Sequence, residues 1–288
     1  MGKESSIKSK GGGGTLFVCP TPIGNLEDIT LRVLRILREV DIVAAEDTRV
    51  TGRLLARFEI SKPLVSYREF GERRRIESLL ADLASDRSVA LVSDAGTPGL
   101  SDPGHKLIRA AIEAGFRVEV LPGPSALVTA LVASGLPTDS FVYQGFLPRK
   151  AGERRKLLAE LLGSGRTVVI YESPHRIMTL LKEVALIDEG RRVAVARELT
   201  KKFEELVRGT AAQVGRKLQG RARGEIVVVI DRGHAIREEF NSAEIRRLVE
   251  ERMLTGVPKK DAIPQIARET GAPRRAVYDA AKEIKVTF

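Results

Sequence analysis

From Thr15 onward short β-rich runs alternate with longer helical ones, and this alternation restricts the fold more than any other feature of the chain. Residues 15–19, 41–45, 64–66, 89–92 and 117–121 read as strands. Residues 29–40, 51–58, 73–84, 105–114 and 125–133 read as helices. Apolar runs this short, bounded by turn residues, suit strands buried on both faces, and the longer stretches suit the helices that cover them. Strands alternating with helices predict βαβ units and a largely parallel sheet.

After Gly135, Leu136 and Pro137 the pattern restarts, with strands at 141–145, 167–171 and 192–197 and helices at 153–162 and 176–186. Residues 203–208 and, after a short helix, 225–230 read as antiparallel partners, so the second sheet is expected to be mixed. Amphipathic helices at 243–253, 260–269 and 274–285 close the chain; their spacing resembles a helix-turn-helix and equally suits an ordinary small bundle. The expectation is an α/β fold: two fused α/β domains with a small C-terminal helical tail. Its parts are a flexible leader at 1–14, an N-terminal α/β domain at 15–137, a second α/β domain with a mixed sheet at 138–234 and a helical domain at 241–288.

Composition narrows the function classes. The 288 residues, 43% of them hydrophobic, suffice for two modest cores. Apolar stretches such as 40–45 and 226–230 end far short of a bilayer span, and the lysine-containing N-terminus has no apolar signal region, so the expectation is a cytoplasmic protein with no membrane partner. A single cysteine, Cys19, excludes an internal disulfide, and three histidines give no zinc spacing, so no metal is expected. A formal charge of +10 favours a polyanionic partner, nucleic acid above all.

Three Gly/Pro-rich segments follow strand ends in the first domain: Pro20-Thr21-Pro22-Ile23-Gly24-Asn25, Ser93-Asp94-Ala95-Gly96-Thr97-Pro98-Gly99 and Leu121-Pro122-Gly123-Pro124-Ser125. On a parallel sheet they converge at the carboxyl edge, where ligands bind. None is a phosphate loop or a dinucleotide fingerprint, which disfavours ATP and NAD. Proline removes amide donors from such loops, so they suit a ligand held by shape, carbonyl groups and a few amides, such as an adenosyl group with an amino-acid tail. Glu46-Asp47-Thr48-Arg49 closes the second strand; one of these residues caps the next helix, and Glu46 or Arg49 can face the same crevice. In the second domain Tyr171-Glu172-Ser173-Pro174-His175-Arg176 gathers an aromatic, an acid, an imidazole and a cation at another strand end. The alternating charges of Arg197-Glu198-Leu199-Thr200-Lys201-Lys202 suit either a solvated surface or contact with phosphates.

Taken in order, these segments closely resemble the tetrapyrrole-methylase superfamily, in particular its branch of small-subunit ribosomal RNA methyltransferases. Further carriers of the likeness are Ser101-Asp102-Pro103-Gly104, Ser134-Gly135-Leu136-Pro137 and Gly145-Phe146-Leu147-Pro148, and the likeness runs from Thr15 to about Ile230. The resemblance implies a homodimer that binds S-adenosylmethionine between two α/β domains and methylates a ribose 2′-hydroxyl of a cytidine in the decoding region of 16S rRNA, free or within the small ribosomal subunit. It implies cofactor contacts from Pro22, Ile23, Asp94, Ala95, Gly96, Ser125, Ala126, Phe146, Leu147 and Pro148. The chain departs from its relatives at Phe70 and Gly71, where they tend to carry histidine and asparagine.

Methyl transfer from a sulfonium needs alignment and a base for the hydroxyl, and no metal. Glu46 and Asp47 are the first candidates for that base and His175 the next, with Arg49, Arg176 and Lys201 as RNA contacts. Two alternatives keep the fold: one changes the substrate, to a small tetrapyrrole or corrinoid precursor, and the other keeps the RNA but not the catalysis, as a non-catalytic RNA-binding ribosome assembly factor.

Overall fold

The computed structural model describes residues 13–68, 72–219, 223–233, 242–270, 272, 274–282 and 284. Phe70 and Gly71, the positions of the departure, lie outside the described residues. The chain forms two compact units, the larger within Met1–Leu161 and Arg166–Asp231, the smaller within Leu162–Gly165 and Arg232–Phe288.

The larger unit opens with β1 (Thr15–Val18), α1 (Leu31–Glu39), β2 (Ile42–Ala45), α2 (Thr48–Arg57), β3 (Leu64–Ser66), α3 (Glu72–Ala84), β4 (Val89–Val92), α4 (His105–Glu113), β5 (Arg117–Val120) and α5 (Ala126–Ser134). The five strands are all parallel, in the order β3-β2-β4-β1-β5. Strand periodicity of two divides their side chains between two cores. Phe17, Val43 and Ala90 pack with Val33, Ile36 and Leu37 of α1 and Leu55 of α2. Leu16, Ile42 and Leu91 pack with Leu79 and Leu83 of α3 and Leu107 of α4. The α1 stripe follows helical spacing, and the Thr30 hydroxyl caps its start by accepting from the Val33 amide at 3.1 Å. Helix α2 begins three residues earlier than its apolar pattern suggests, because Asp47 caps it through the Arg49 amide at 2.8 Å. The connection after β1 runs one way across the sheet, to β2, and the connection after its neighbour β4 runs the other way, to β5, which opens a crevice over the carboxyl ends of β1 and β4.

The second sheet is built from β6 (Phe141–Phe146), β7 (Thr167–Glu172), β8 (Arg192–Arg197), β9 (Glu205–Thr210) and β10 (Ile226–Ile230), in the order β6-β7-β10-β8-β9. β6 and β7 are parallel and the other pairings antiparallel, so the sheet is mixed. Helices α6 (Ala151–Gly163), α7 (Ile177–Ile187) and α8 (Ala211–Leu218) accompany it. A buried ion pair, Arg154 to Glu183 at 2.8 Å, ties α6 to α7. β9 starts two residues later than its sequence pattern suggests: Glu198 and Thr200 adopt positive φ, and residues 198–204 fold into consecutive turns. Although α5 follows the first sheet, its Leu127, Ala130 and Leu131 pack on Val169, Ala194 and Val227 of the second, which makes one body of the two sheets.

The smaller unit holds α9 (Ser242–Leu254), α10 (Lys259–Thr270) and α11 (Arg274–Ala281), joined by Ile245, Val249, Ile266 and Val277. Among the described residues no helix is long and apolar enough to cross a membrane.

Candidate active site

The loops at the carboxyl edge of the first sheet are tied to one another. Thr21 and Gly96 exchange both backbone hydrogen bonds at 2.9 Å, and the Thr21 hydroxyl donates to the Ser93 carbonyl at 3.0 Å. Gly96 holds φ +84°, a left-handed conformation that favours glycine. The Thr97 hydroxyl donates to the Pro124 carbonyl at 3.2 Å, joining the β4 and β5 loops. The end of β2 is fastened reciprocally to the β4 loop. The Glu46 carboxylate accepts from the Asp94 amide at 3.3 Å, and the Asp94 carboxylate accepts from the Asp47 amide at 3.0 Å. The β1 loop also reaches the second sheet: the Asn25 amide donates to the Thr200 hydroxyl at 3.0 Å. At Gly24 a Cβ would sit 2.5 Å from the Lys201 side chain.

These ties frame a cleft of about 470 Å³ between the carboxyl edge of the first sheet and the β6, β7 and β10 end of the second. Among the described residues five carboxylates line it, from Glu46, Asp94, Asp102, Glu172 and Glu225, and no lysine or arginine does. Its remaining walls are mostly small or apolar, with Ile23, Ala95, Leu100, Ala126 and Val227, and one end is aromatic. There the Tyr171 ring meets Tyr143 edge-on at 5.2 Å and Phe146 at 5.9 Å. The Tyr143 hydroxyl lies 2.5 Å from that of Ser101.

Crowding of like charges in a partly dry space raises carboxyl pKa values. Burial lifts Glu46 above its ordinary value. Burial first, and the Glu46 charge second, push Asp102 up to about 6. Burial also raises the Tyr143 and Tyr171 phenols, so neither is a base at neutral pH. Glu172 is buried; it accepts from the Ser173 amide at 2.8 Å through one oxygen, while its other oxygen has no hydrogen-bond partner among the described residues. A cleft with an apolar wall and a carboxylate floor selects a cation with an apolar body. S-adenosylmethionine, with a sulfonium and an ammonium against one carboxylate, fits that description.

Of the residues singled out from sequence, Glu46, Ile23, Asp94, Ala95, Gly96, Ser125, Ala126 and Phe146 line the cleft. Pro22 faces a second cavity on the α2 side of its loop. Leu147 and Pro148 stand outside both, and their carbonyls accept from the Arg176 guanidinium at 2.8 and 3.4 Å. Arg176 is also 3.2 Å from Glu172, so its charge is already matched inside the protein. Lys201 is likewise engaged, 3.1 Å from Glu198 and 3.3 Å from Glu225. Asp47 accepts from Arg49 at 2.6 Å and lies 3.0 Å from Arg68; the Arg49 hydrogen bond holds its carboxyl well below the usual range, which makes it a poor proton acceptor. Arg49 is exposed. His175 is exposed and is not part of the cleft wall. Cys19 is core, its thiol pushed up to about 12 by burial.

Asp102 and Glu225 are acids to which the sequence assigns no role, and it marks Glu172 only as the acid of its strand-end motif. Asp102 sits in a Ser-Asp-Pro-Gly turn, a pattern visible in the sequence but indistinguishable there from an ordinary helix entry. Glu225 precedes β10 as one charge among many, and only the fold brings it to Asp102.

The model of the family Tetrapyrrole (Corrin/Porphyrin) Methylases matches residues 15–215. The chain is 42% identical over 284 residues to a protein of Halalkalibacterium halodurans named ribosomal RNA small subunit methyltransferase I, covering 97% of this chain and 98% of that one. To the protein of the same name from Escherichia coli O157:H7 it is 44% identical over 277 residues, covering 94% and 95%. Among solved structures, uroporphyrin-III C-methyl transferase from Thermus thermophilus complexed with S-adenyl homocysteine is similar with TM-score 0.56 and 19% identity, over 78% of this chain and 99% of that one. The methyltransferase CobJ gives TM-score 0.59 and 20% identity, over 76% and 95%. Both are similar in fold alone. With the family model covering the first sheet and every strand of the second but β10, and relatives this similar along nearly the whole length, the chain belongs to the tetrapyrrole (corrin/porphyrin) methylase family, in its ribosomal RNA small subunit methyltransferase I branch.

Proposed function

We propose that this chain is an S-adenosylmethionine-dependent methyltransferase acting on a ribose 2′-hydroxyl of a cytidine in the decoding region of 16S rRNA, within the small ribosomal subunit or as free RNA. The observation that carries the reading is the charge of the cleft, lined by five carboxylates in a chain of net charge +10. The acids suit a cationic methyl donor, while the basic remainder suits a polyanion. Relatives named for small-subunit ribosomal RNA methylation support the substrate, and the neighbour complexed with S-adenyl homocysteine supports the cofactor.

In this reading the loops of residues 15–137 and the β6, β7 and β10 edge of residues 138–234 hold the donor between them. Ile23, Ala95, Gly96, Ser125, Ala126 and Phe146 enclose it, and Glu46, Asp94 and Asp102 face its positive charge. When bound, S-adenosylmethionine supplies a methyl group that passes to the ribose oxygen as the sulfur–carbon bond breaks. The chain must then align the hydroxyl and take its proton. Asp102 suits the role of proton acceptor, because it lines the cleft and is pushed up to about 6, which leaves it ionised at neutral pH yet more basic than an ordinary aspartate. Glu46 stands in the same wall and keeps the site's negative charge when Asp102 takes the proton. Asp47 holds Arg49 and Arg68 and starts α2, and Arg176 and Lys201 position neighbouring backbone and acids.

The same reading places the enzyme in the cytoplasm, where its substrate is, as a homodimer. Val128 and Val132, one turn apart on α5 and both exposed, support a self-association face there.

Labelled methyl transfer from S-adenosylmethionine to unmethylated small ribosomal subunits, followed by ribose mapping, tests the proposal. Incorporation at one decoding-region cytidine is the expected result. Cofactor binding without methylation of subunits or free rRNA would overturn it and direct attention to tetrapyrrole substrates.

A further inference from the structure

Helix α2 carries arginines without acids of its own. On α1, α3 and α4 an arginine is matched one turn on by an acid: Arg35 by Glu39, Arg73 by Glu77 and Arg109 by Glu113. The α2 sequence, Thr-Arg-Val-Thr-Gly-Arg-Leu-Leu-Ala-Arg, carries three arginines and no carboxylate. Arg49, Arg53 and Arg57 recur every fourth residue and so share one face. The cap residue Asp47 is already divided between Arg49 and Arg68. Among the described residues Arg53 donates only to the Arg49 carbonyl, at 3.3 Å, and no carboxylate pairs with Arg53 or Arg57, both exposed.

These two arginines line the second cavity, of about 510 Å³, whose opposite wall is Thr21, Pro22 and Gly24 of the β1 loop. Asp94 lines this cavity and the acidic cleft alike, so the two adjoin. Unmatched guanidinium groups beside a cavity repel one another until an anion lies between them, and their planar forks fit phosphate oxygens.

We propose that this face of α2 seats the phosphodiester backbone next to the modified nucleotide, an inference that rests on the RNA reading above. The juxtaposition has a mechanical consequence. Phosphates are drawn to Arg53 and Arg57 and repelled by the cleft acids, so the strand lies along the rim and only the uncharged ribose hydroxyl enters.

Binding of a labelled decoding-region RNA and of small ribosomal subunits is measured against salt for the wild-type chain and for Arg53→Gln, Arg57→Gln and the double variant. Each lost phosphate contact flattens the slope of log affinity on log salt by about 0.7–0.9. Between 50 and 200 mM salt the wild type therefore loses about 7- to 12-fold more affinity than the double variant. S-adenosylmethionine affinity by calorimetry stays within about twofold, because neither arginine lines the cleft. Equal salt slopes for wild type and double variant, with methylation intact, overturn this inference alone. Equal slopes with lost self-association in sedimentation also overturn it, and assign the face to contact between copies. A wild-type chain with no salt-dependent RNA binding overturns the RNA reading itself.

Discussion

Asp102→Asn separates the chemistry of the cleft from the stability of the fold, because the same environment drives both in opposite directions. In its proposed role as proton acceptor, Asp102 should contribute about 10²–10⁴-fold to the transfer step, and asparagine cannot replace it. Single-turnover methylation of small ribosomal subunits with saturating S-adenosylmethionine should fall by that factor. In the wild type, kcat/KM for the cofactor should rise with pH and level off above about 6, since that ratio reports the free enzyme and the ionised carboxylate is the active form. The kcat limb should lie lower, because the bound sulfonium favours the ionised acid. The stability effect has the other sign. Folding raises the Asp102 pKa from 3.8 to about 6, so the protonated acid favours the folded chain. That contribution is complete below pH 3.8 and is lost as pH rises through 6. Two pKa units are worth at most about 3 kcal/mol, and screening by the solvent that reaches this half-buried group reduces it to about 1–2 kcal/mol. At pH 7.5, without cofactor, the asparagine variant should therefore melt about 2–8 °C higher than the wild type, and the gap should close towards pH 4. An unchanged single-turnover rate would refute the role of Asp102 as acceptor, and a lower melting temperature at pH 7.5 would refute the account of its burial.

Three further outcomes bear on the site. Glu46→Gln should lower the preference for S-adenosylmethionine over S-adenosylhomocysteine about two- to fivefold in calorimetry, since the two differ by one positive charge and a partly exposed carboxylate reads it with about 1 kcal/mol or less. His175→Ala should leave the single-turnover rate within about twofold, because the imidazole is exposed and outside the cleft wall. Val128→Asp with Val132→Asp should shift sedimentation equilibrium from dimer to monomer without lowering the melting temperature of the monomer, as both side chains are exposed in the single chain.

The elements of this fold are legible in sequence because their periodicities are clean. The Ile-Val-Val-Val-Ile run of β10 is buried on both faces, as an uninterrupted apolar strand must be. The Val33, Ile36, Leu37 stripe marks α1 without ambiguity. What periodicity does not carry is which sheet a helix covers. Helix α5 is apolar nearly all round, so its sequence fits either sheet, and only tertiary packing assigns it to the second. The site divides the same way. Loops after strands can be placed at the sheet edge by topology, and the three loops that carry Ile23, Ala95 and Ser125 follow from that rule, while the family resemblance is what points to those residues within them. Side-chain roles within a charged cluster cannot. Glu46 and Asp47 are adjacent carboxylates with the same local signal, yet one faces the cleft with a raised pKa and the other is locked under Arg49 and Arg68.

The division of charge bears on why the reaction can turn over. The net charge of +10 conceals an acidic cleft next to a basic face, and these opposite fields meet at Asp94. Transfer of the methyl group removes the positive charge that the acids hold, so the product S-adenosylhomocysteine loses the attraction that brought the donor in. In the proposed reaction a proton delivered to Asp102 in the same step would lower the cleft's negative charge by one and relieve the repulsion among the carboxylates left facing a neutral product. Release of that proton to solvent restores the acidic cleft and its preference for a fresh cation. RNA phosphates seated on the arginine face as proposed would keep their contacts through both events, because nothing in the transfer changes their charge. Cofactor exchange is thereby separated from RNA release, so salt should weaken the RNA complex far more than it changes the preference for donor over product.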